Sequence, residues 1–432
     1  MTRRTSKMNY NEMTKQIKLD SYMMSSLSSQ IRNKALFNIK DALLTKKDEI
    51  FLANKEDLEN AELSNEPTPI LNRLIFDSHK LNGVIDGISS LISLKDPLFN
   101  LQLVRELDQG LLLKKETCPI GVIGVIFESR PDALVQISTL CIKSGNCSIL
   151  KGGKEAAKTN KILFDVIYTA GIDAGLPKGF MTLIENRADI DELIKCHDSI
   201  DLLIPRGSNE FVQYIMSNSK IPVMGHANGI CHIYVDQSAD LDKALPIIMD
   251  SKTQYVTACN TLETLLVHKD IAAELLPALQ NSSYAGNVEL RGCPKTLKII
   301  DCFPATEEDF KTEYLDFILS IKIVDDLDEA INHINKYGSH HTDCIVTEIT
   351  EDASKFMALV DSANVYQNCS TRFADGYRYG FGAEVGISTG KLHARGPVGL
   401  DGLVTYKYKL FGNGHIVADY ACGRKNFNFV DK

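Results

Sequence analysis

Cys259 is the residue of this sequence best placed for covalent chemistry. It lies in QYVTACNTLET (254–264), where small and polar residues surround it and an amphipathic segment, 262–267, follows. A thiolate attacks acyl groups readily, and the resulting thioester leaves the carbonyl open to hydride or to a second nucleophile. A helix after Cys259 would place free N–H groups near the sulfur and favour the thiolate. The alternative is an inert buried thiol, which is the usual role of a free cysteine.

Two loops that follow predicted strands are suited to holding phosphate groups. The sequence KGGK (151–154) follows a predicted strand at 147–150, and PRGSN (205–209) follows another at 200–204. Small residues let a ligand approach the backbone, ammonium groups attract phosphate, and a helix beginning after the second loop would offer its N-terminus to a pyrophosphate. Either loop alone is typical of a solvated turn. Together, on neighbouring units of one sheet, they favour a nucleotide.

Two other polar clusters are interpreted as structural. GFGAEVG (380–386) imitates a dinucleotide motif, but its spacing is wrong and no strand precedes it, so we predict a loop. His226, Cys231 and His232 could suggest a metal site. Cys231 and His232 are adjacent on a predicted strand and would point to opposite faces, and no fourth ligand is evident. We therefore predict no metal site.

Composition excludes several classes of function. The 432 residues carry a formal net charge of −9, which argues against nucleic acid or an anionic membrane as the main partner. Eleven cysteines without a CxxC pair indicate reduced thiols rather than a disulfide framework. The basic start at 1–7 lacks the apolar stretch of a signal peptide, and no apolar run is long enough to span a bilayer. We expect a cytoplasmic protein that acts on small molecules.

The pattern of elements predicts an α/β fold. Residues 22–94 show apolar residues at helical spacing, and residues 1–20 are polar and expected to be loose. After a turn at 108–110, strands and helices alternate up to about residue 204, as in a doubly wound parallel sheet. A second α/β unit is expected over 225–370. The remaining predicted strands and helices of these units are strands at 111–115, 120–127, 180–184 and 230–235, and helices at 132–144, 159–171, 190–196 and 241–251.

One late strand has no partner nearby in the sequence. Residues 403–408 alternate apolar and polar side chains, and the candidate partner is the strand at 111–115. This pairing predicts a small β-structure that joins distant parts of the chain.

Six motifs in order resemble those of a known family. The chain from about residue 121 to 407 is similar to the gamma-glutamyl phosphate reductases, or glutamate-5-semialdehyde dehydrogenases, a branch of the aldehyde dehydrogenase superfamily. The matching motifs are FESRPD (127–132), KGGKEA (151–156), GHANGICH (225–232), ACNTLETLLVH (258–268), STRFADG (370–376) and HARGP (393–397).

The resemblance implies an architecture and a reaction. It implies an aldehyde dehydrogenase-like subunit of two doubly wound α/β domains plus a small β-flap used in oligomerisation. The expected divisions are an NADPH-binding domain at 1–108, 120–224 and 371–390, a catalytic domain at 225–370, and the flap at 109–119 and 391–432. The implied reaction is reduction of L-glutamyl 5-phosphate by NADPH through a thioester on Cys259, in proline biosynthesis.

The resemblance also implies roles for individual residues near the cofactor. Lys151 is expected at the ribose or its phosphate, Gly207 and Ser208 at the pyrophosphate, and Glu313 at the nicotinamide ribose. Lys154 occupies the place where many NAD-using relatives have a glutamate that binds the ribose hydroxyls. A cation there favours the 2′-phosphate of NADPH.

The expected substrate contacts are Ser129, Ser370, Thr371 and Arg372. Ser129 falls where superfamily members place an oxyanion-stabilising asparagine, and the Arg372 guanidinium can hold a carboxylate or phosphate with two parallel bonds. Without the motif, Arg372 is equally typical of a surface arginine.

Gly225 stands where hydrolytic aldehyde dehydrogenases carry the glutamate that activates water. Loss of that base protects a thioester from hydrolysis, although a glycine could also serve only a tight backbone turn.

Three functions remain open at this stage. The first is the phosphorylating reductase, a homo-oligomer with a glutamate kinase as a candidate partner. The second is an ordinary aldehyde dehydrogenase that makes an acid, and Gly225 counts against it. The third is a catalytically silent nucleotide-binding or scaffold subunit, and the intact surroundings of Cys259 count against that.

Overall fold

The structure is a computed structural model that describes residues 9–185, 190–226, 228–282, 287–382 and 384–432. Its helices are α1 (Tyr10–Met24), α2 (Ser29–Thr45), α3 (Lys47–Leu63), α4 (Thr68–Leu74), α5 (Ser78–Ser93), α6 (Pro131–Lys143), α7 (Ala157–Ala174), α8 (Ile190–Leu193), α9 (Asn209–Asn218), α10 (Leu241–Thr253), α11 (Lys269–Asn281), α12 (Leu327–Tyr337), α13 (Thr350–Leu359) and α14 (Val417–Ala421). Its strands are β1 (Leu101–Asp108), β2 (Leu111–Pro119), β3 (Val122–Phe127), β4 (Cys147–Lys151), β5 (Met181–Ile184), β6 (Leu202–Arg206), β7 (Cys231–Val235), β8 (Leu262–His268), β9 (Glu289–Gly292), β10 (Phe303–Pro304), β11 (Ile318–Val324), β12 (Thr342–Val346), β13 (Asn364–Gln367), β14 (Gly386–Ser388), β15 (Gly396–Val398), β16 (Val404–Phe411) and β17 (Val430–Asp431).

Five helices, α1 to α5, precede the first strand, which confirms the prediction of helical structure over 22–94. The expectation that residues 1–20 are loose is wrong where α1 forms. Asn9 caps this helix by accepting a hydrogen bond from the Glu12 N–H, and one face of the helix is buried although its sequence is polar overall. The basic run at 1–7 lies outside the described residues. No helix in the described ranges is long and apolar enough to cross a bilayer.

The first parallel sheet has the strand order β5-β4-β3-β6. Helices connect its strands in sequence, with α6 between β3 and β4 and α7 between β4 and β5. The strand order reverses at β3, which has β4 on one side and β6 on the other. Ligands of such sheets bind outside the carboxyl ends of the strands at the reversal, so the loops after β3, β4 and β6 face the expected ligand position.

The second parallel sheet has seven strands in the order β10-β9-β11-β8-β7-β12-β13. Its strands alternate side chains between two buried faces. Ile233 and Leu265 pack with α10 and α11 on one face, and Tyr234 and Leu266 pack with α12 and α13 on the other. This arrangement confirms the prediction of a second doubly wound α/β unit.

An antiparallel sheet with the order β16-β2-β1-β17 joins distant parts of the chain. The predicted pairing of residues 403–408 with 111–115 is confirmed, because β16 pairs with β2 and Tyr408 lies opposite Lys115. Long-range pairing of this kind leaves the outer strand β16 largely exposed to solvent.

The boundaries of this sheet differ from those predicted. The sequence predicts a flap made of 109–119 and 391–432, whereas β1 also belongs to the sheet. The reason is that the turn at Gly110, which has a φ of 76°, joins two strands of one hairpin rather than separating two domains. At the other end, β15 pairs with β14, and Val398 and Leu403 pack in the core around the first sheet.

Asp57 of α3 fixes the beginning of α7. Its carboxylate accepts hydrogen bonds at 2.7 Å from both the N–H and the hydroxyl of Thr159, and at 3.2 Å from the N–H of Lys158. The residue before α7 makes no side-chain cap, so the first turn of α7 is capped from another element. The loop that carries Lys151 and Lys154 precedes this turn, and Asp57 therefore also anchors that loop.

We predict that Asp57→Ala lowers the free energy of unfolding by about 1–3 kcal/mol, because three donors at the start of α7 lose their acceptor. Urea denaturation measures this change. Glu56→Ala is the control, because the Glu56 ion pair with Lys158 is half exposed and contributes at most about 1 kcal/mol. Equal midpoints for Asp57→Ala and the unchanged protein would contradict the capping role.

Candidate functional site

A cleft of about 1060 Å³ lies between the two parallel sheets. The first sheet contributes the loops after the carboxyl ends of β3, β4 and β6, and the second contributes the segments before the amino ends of β7, β8 and β11. Eight of the ten residues predicted from the sequence line it, namely Ser129, Lys151, Lys154, Gly207, Ser208, Cys259, Glu313 and Arg372. The structure therefore brings the predicted nucleophile and the predicted cofactor loops together.

Cys259 lies in the loop between α10 and β8, and its side chain is half-buried. The segment after it is strand β8, so the helix considered from the sequence does not form. All seven residues of β8 are buried, and a strand buried on both faces lacks the alternation that identifies strands in a sequence. A helix N-terminus therefore does not act on this sulfur.

A buried ion pair closes the base of the loop that carries Cys259. Lys252 Nζ of α10 lies 2.7 Å from Glu263 Oε2 of β8, and both side chains are fully buried. Burial raises the pKa of Glu263 to about 7. Because each charge has the other as its ion-pair partner among the described residues, the pair holds the two ends of the loop together.

The backbone of Gly229 packs directly against the backbone of Cys259. A Cβ atom at position 229 would lie 2.0 Å from the Cys259 carbonyl oxygen and 2.5 Å from its Cα. The thiol of Cys231 donates a hydrogen bond to the same carbonyl oxygen at 3.3 Å. The segment that enters β7 thus fixes the position of the Cys259 backbone. Only glycine fits at position 229, because a side chain there would overlap that backbone.

Two histidines lie beside the nucleophile. One ring nitrogen of His226, one of His341 and the sulfur of Cys259 lie within 4.8 Å of one another. His226 Nδ1 donates to the Ile387 carbonyl oxygen at 2.9 Å, and burial lowers the pKa of His226. A neutral imidazole with its second nitrogen unprotonated can accept the proton of a neighbouring thiol.

The histidine and cysteine cluster considered from the sequence separates in the structure. His232 Nδ1 lies 2.9 Å from the Asp343 carboxylate, and both side chains are fully buried. Cys231 supports the Cys259 backbone instead. His226 therefore belongs with Cys259 and His341 rather than with the two residues that accompany it in the sequence.

The loop after β6 meets the requirements of a pyrophosphate site. Gly207 and Ser208 line the cleft at the N-terminus of α9, and the Ser208 side chain does not cap this helix. The exposed carboxylate of Glu128 accepts a hydrogen bond from the Ser208 N–H at 3.2 Å. A carboxylate thus accepts a hydrogen bond at this helix end, where the sequence predicts a pyrophosphate.

Lysine and glutamate residues complete the predicted cofactor side of the cleft. Lys151 is buried at the end of β4, with its ammonium bonded to the Gly152 carbonyl oxygen, and Lys154 is exposed at the rim. Glu313 accepts hydrogen bonds from the Asn209 side chain and from the Gly229 N–H, and burial raises its pKa. The contacts of Glu313 connect the loop after β6 to the segment that enters β7.

The predicted substrate residues divide into two groups. Arg372 lines the cleft, and its Nε donates to Gln254 Oε1 at 3.0 Å. Ser370 and Thr371 are buried behind the nucleophile loop and do not line the cleft, so their assignment as substrate contacts is not supported. The Thr371 hydroxyl donates to the Asn260 carbonyl oxygen at 2.7 Å, which positions the residue next to Cys259.

Ser129 does not offer a free oxyanion donor. Both its N–H and its hydroxyl donate to Glu155 Oε1 at 2.7 Å, and its φ of 48° lies in the left-handed region. The carboxylate of Glu155, which directly follows the KGGK loop, occupies both donors. Only the folded arrangement of β3 and β4 brings these two residues together.

Gly225 lines the cleft in a conformation that any residue could adopt. A Cβ atom there would meet its nearest neighbour, Pro205, at 3.7 Å, which is an ordinary contact, and its φ is not left-handed. The backbone therefore does not require glycine at this position. This supports the chemical interpretation of Gly225 over the structural one.

Three residues of the site were not found as functional candidates from the sequence. His341 precedes β12, which is far from β7 in sequence but adjacent to it in the sheet. Arg206 and Glu384 line the cleft. The sequence interpretation of their two loops considered the glycines and not these charged residues. The available signal was an ionisable residue at the end of a buried strand, which applies to Arg206 and His341.

Comparisons with known proteins agree with this architecture. Residues 3–296 match the model of the Aldehyde dehydrogenase family. The chain is 60% identical over 420 residues to a gamma-glutamyl phosphate reductase of Acetivibrio thermocellus, with 97% of each chain covered. This chain belongs to the gamma-glutamyl phosphate reductase branch of the aldehyde dehydrogenase family.

Solved structures show the same relationship. The crystal structure of gamma-glutamyl phosphate reductase from Thermotoga maritima is 40% identical and has a TM-score of 0.92, covering 94% of this chain and 99% of that one. An acetylating aldehyde dehydrogenase from Geobacillus thermoglucosidasius is 18% identical with a TM-score of 0.63, covering 94% and 96%, and shares the fold.

Membership of this family accounts for the two loops at the ends of β4 and β6. The aldehyde dehydrogenase family uses a nicotinamide cofactor. The anion-accepting N-terminus of α9 and the lysines after β4 suit the phosphates of such a cofactor, and Glu313 suits a ribose hydroxyl.

We predict that Gly229→Ala lowers kcat by about a hundredfold, because a shift of about 1 Å at the nucleophile suffices for such a loss. The added methyl group must displace the Cys259 backbone, since the overlapping atoms belong to the main chain. Steady-state kinetics measures the effect, and circular dichroism checks the fold. Gly386→Ala is the matched control, because a Cβ there meets nothing within 4 Å. Unchanged turnover in Gly229→Ala would refute the packing argument.

Proposed function

We propose that this chain reduces L-glutamyl 5-phosphate to L-glutamate 5-semialdehyde with NADPH and releases phosphate, as a step of proline biosynthesis. The observation that carries the proposal is the half-buried Cys259 thiol, which faces the cleft beside a neutral imidazole and opposite a glycine at position 225. The names of the relatives, which match almost the whole chain, support the substrate.

The reaction proceeds in two covalent stages on Cys259. Its thiolate attacks the acyl carbon, the bond from that carbon to the phosphate oxygen breaks, and phosphate leaves. The nicotinamide, when bound, supplies hydride to the thioester carbon. Collapse of the resulting oxyanion returns the electron pair to sulfur and releases the aldehyde. An acyl phosphate is already activated, so positioning and stabilisation of the oxyanion govern the barrier.

Individual side chains support these stages. His226 accepts the proton of the Cys259 thiol because its imidazole is neutral and lies beside the sulfur. Arg372 offers a guanidinium to the carboxylate of the glutamyl group. Gly225 removes the carboxylate that hydrolytic aldehyde dehydrogenases carry at this position to activate water, so the intermediate persists until hydride or phosphate reacts with it.

NADPH is the proposed form of the cofactor. Lys154 lies exposed at the rim of the cleft beside the loop after β4. An ammonium group there attracts the additional phosphate of NADPH, whereas a glutamate would repel it.

We also propose that the protein is a cytoplasmic homo-oligomer. All eleven cysteines are unpaired, as in a reducing compartment. The outer strand of the antiparallel sheet exposes four large apolar side chains, Tyr406, Tyr408, Leu410 and Phe411, which suits burial against a second copy. A glutamate kinase, which would supply the unstable acyl phosphate, is the proposed hetero-partner.

We predict that oxidation of glutamate 5-semialdehyde by NADP⁺ depends strictly on inorganic phosphate. The reason is that position 225 offers no base for hydrolysis, so phosphate is the acceptor of the acyl group. Absorbance of NADPH measures the rate with and without phosphate. Equal rates in both conditions would show that water is the acceptor and would refute the proposed reaction.

The control for this experiment is Cys259→Ser. This variant is expected to bind NADPH as the unchanged protein does and to lose turnover, because a hydroxyl is a much weaker nucleophile at neutral pH. Fluorescence of bound NADPH reports binding separately from catalysis.

We predict that Lys154→Glu raises the KM for NADPH about tenfold or more and leaves the KM for NADH nearly unchanged, because one charge-assisted contact to the 2′-phosphate is replaced by repulsion. Initial rates with both cofactors measure the change. Lys158→Glu makes the same charge change outside the cleft, where Lys158 pairs with Glu56, and is expected to leave the preference intact. An identical preference in both variants would remove Lys154 from cofactor selection.

A further inference from the structure

Arg206 is a half-buried cation at the edge of the cleft that the proposed reaction has not yet used. It is the last residue of β6, and its Nη1 donates to the Val385 carbonyl oxygen at 2.6 Å. Among the described residues it forms no ion pair with a carboxylate. A guanidinium has five N–H donors, so this single carbonyl leaves most of its hydrogen-bonding capacity available for a ligand.

Arg206 lines the same cleft as the reacting sulfur. Val385, which accepts the Arg206 hydrogen bond, and Ile387, which accepts from His226, belong to one short segment. Burial is the largest cause of the lowered pKa of His226, and Arg206 lowers it further. Arg206 and His226 are thus bonded to one segment and line the same cleft as Cys259.

Arg206 also adjoins the donors of a helix end. The residues that follow it are Gly207 and Ser208, at the N-terminus of α9. Arginine beside a helix N-terminus is a frequent phosphate-binding arrangement, because both supply directed donors and positive potential. Burial lowers the pKa of Arg206, as does the neighbouring Arg130, and an anionic ligand would offset both effects.

A second guanidinium lies on another side of the nucleophile. Arg372 is buried, is held by Gln254, and lies over the exposed ring of Tyr255. It too forms no ion pair with a carboxylate among the described residues, and the charge of Cys259 acts on it as well. The acyl phosphate has two anionic ends, and only the phosphoryl end is attached to the reacting carbon. Two separate cations suit these two ends.

We propose that Arg206 binds the phosphoryl group of the acyl phosphate and, in the reverse direction, the attacking inorganic phosphate, while Arg372 binds the glutamyl carboxylate. This assignment rests on the proposed function. In the reverse direction a phosphate oxygen forms a bond to the thioester carbon, the carbon–sulfur bond breaks, and its electron pair returns to the Cys259 sulfur. Arg206 orients the phosphate oxygen and balances its charge during this transfer.

The test is oxidation of the semialdehyde by NADP⁺ at varied phosphate in three variants. Arg206→Gln is expected to raise the KM for phosphate about tenfold or more and to leave the KM for semialdehyde within about twofold. Arg206→Lys is expected to restore part of the phosphate affinity, because an ammonium keeps the charge but loses the planar fork. Arg372→Gln is the matched control and is expected to show the opposite pattern, with a raised KM for semialdehyde only.

Two further measurements separate the possible causes. Inorganic phosphate alone is expected to slow alkylation of Cys259 by iodoacetamide in the unchanged protein and in Arg372→Gln, but not in Arg206→Gln. The Kd for NADP⁺, followed by fluorescence quenching, is expected to stay unchanged in Arg206→Gln, and thermal unfolding checks that the variant is folded.

The outcomes distinguish this inference from the proposed function. Phosphate-dependent oxidation in the unchanged protein, with an unaltered phosphate KM in Arg206→Gln, overturns the assignment of Arg206 alone. A rise in the Kd for NADP⁺ equal to the rise in phosphate KM also overturns it, because the guanidinium would then serve the cofactor. Oxidation without any phosphate requirement overturns both.

Discussion

The buried ion pair between Lys252 and Glu263 is the constraint on which the catalytic geometry depends. It joins the end of α10 to the start of β8 and so closes the loop in which Cys259 lies. Neither partner has access to water, and the loss of either would leave an uncompensated charge inside the protein. The pair therefore keeps the loop closed even though the loop itself is irregular. Gly229 then sets the position of this closed loop against β7.

The two parallel sheets use opposite ends to build the cleft. The first presents the carboxyl ends of its strands, where the helix end after β6 favours anions, and the second presents the amino ends, where Cys259 and the histidines lie. This arrangement separates the place for a phosphorylated cofactor from the nucleophile while keeping them within one cavity. Arg206 and Glu313 lie at the junction, and each is bonded to a segment beyond its own loop.

Much of the fold could be predicted from the sequence because its signals are local. Buried β-rich runs and helical spacing identified all four strands of the first sheet, but only β7 and α10 in the second unit. The loops after β4 and β6 followed from glycine and lysine at strand ends. The nature of the segment after Cys259 was not predictable, because β8 is buried on both faces and shows no alternation. The domain division implied by the resemblance separates β1 from β2, and the sequence pattern did not correct it because no strand is predicted before the turn at 108–110.

The candidate site was predictable only where one motif carries the function by itself. Cys259 and Arg372 satisfy that condition, whereas His341 becomes a neighbour of Cys259 only through the placement of β12 beside β7. Ser370 and Thr371 belong to the same motif as Arg372, yet they are buried against the nucleophile loop. A motif shows which residues belong to the same site. Which of them line the cleft and which support the backbone depends on packing.

Gly225 and Gly229 both precede β7, but packing requires glycine at only one of these two positions. At Gly229 a side chain cannot fit, because the Cys259 backbone occupies its place. At Gly225 a side chain does fit, and neither φ nor a neighbour demands glycine. Packing therefore does not explain the glycine at position 225, which supports the proposal that a base is absent there because it would direct water to the thioester. Without that base, and with cationic side chains lining the cleft, phosphate is favoured over water as the acceptor of the acyl group. The acyl group then remains an activated acyl phosphate instead of being hydrolysed to a carboxylic acid.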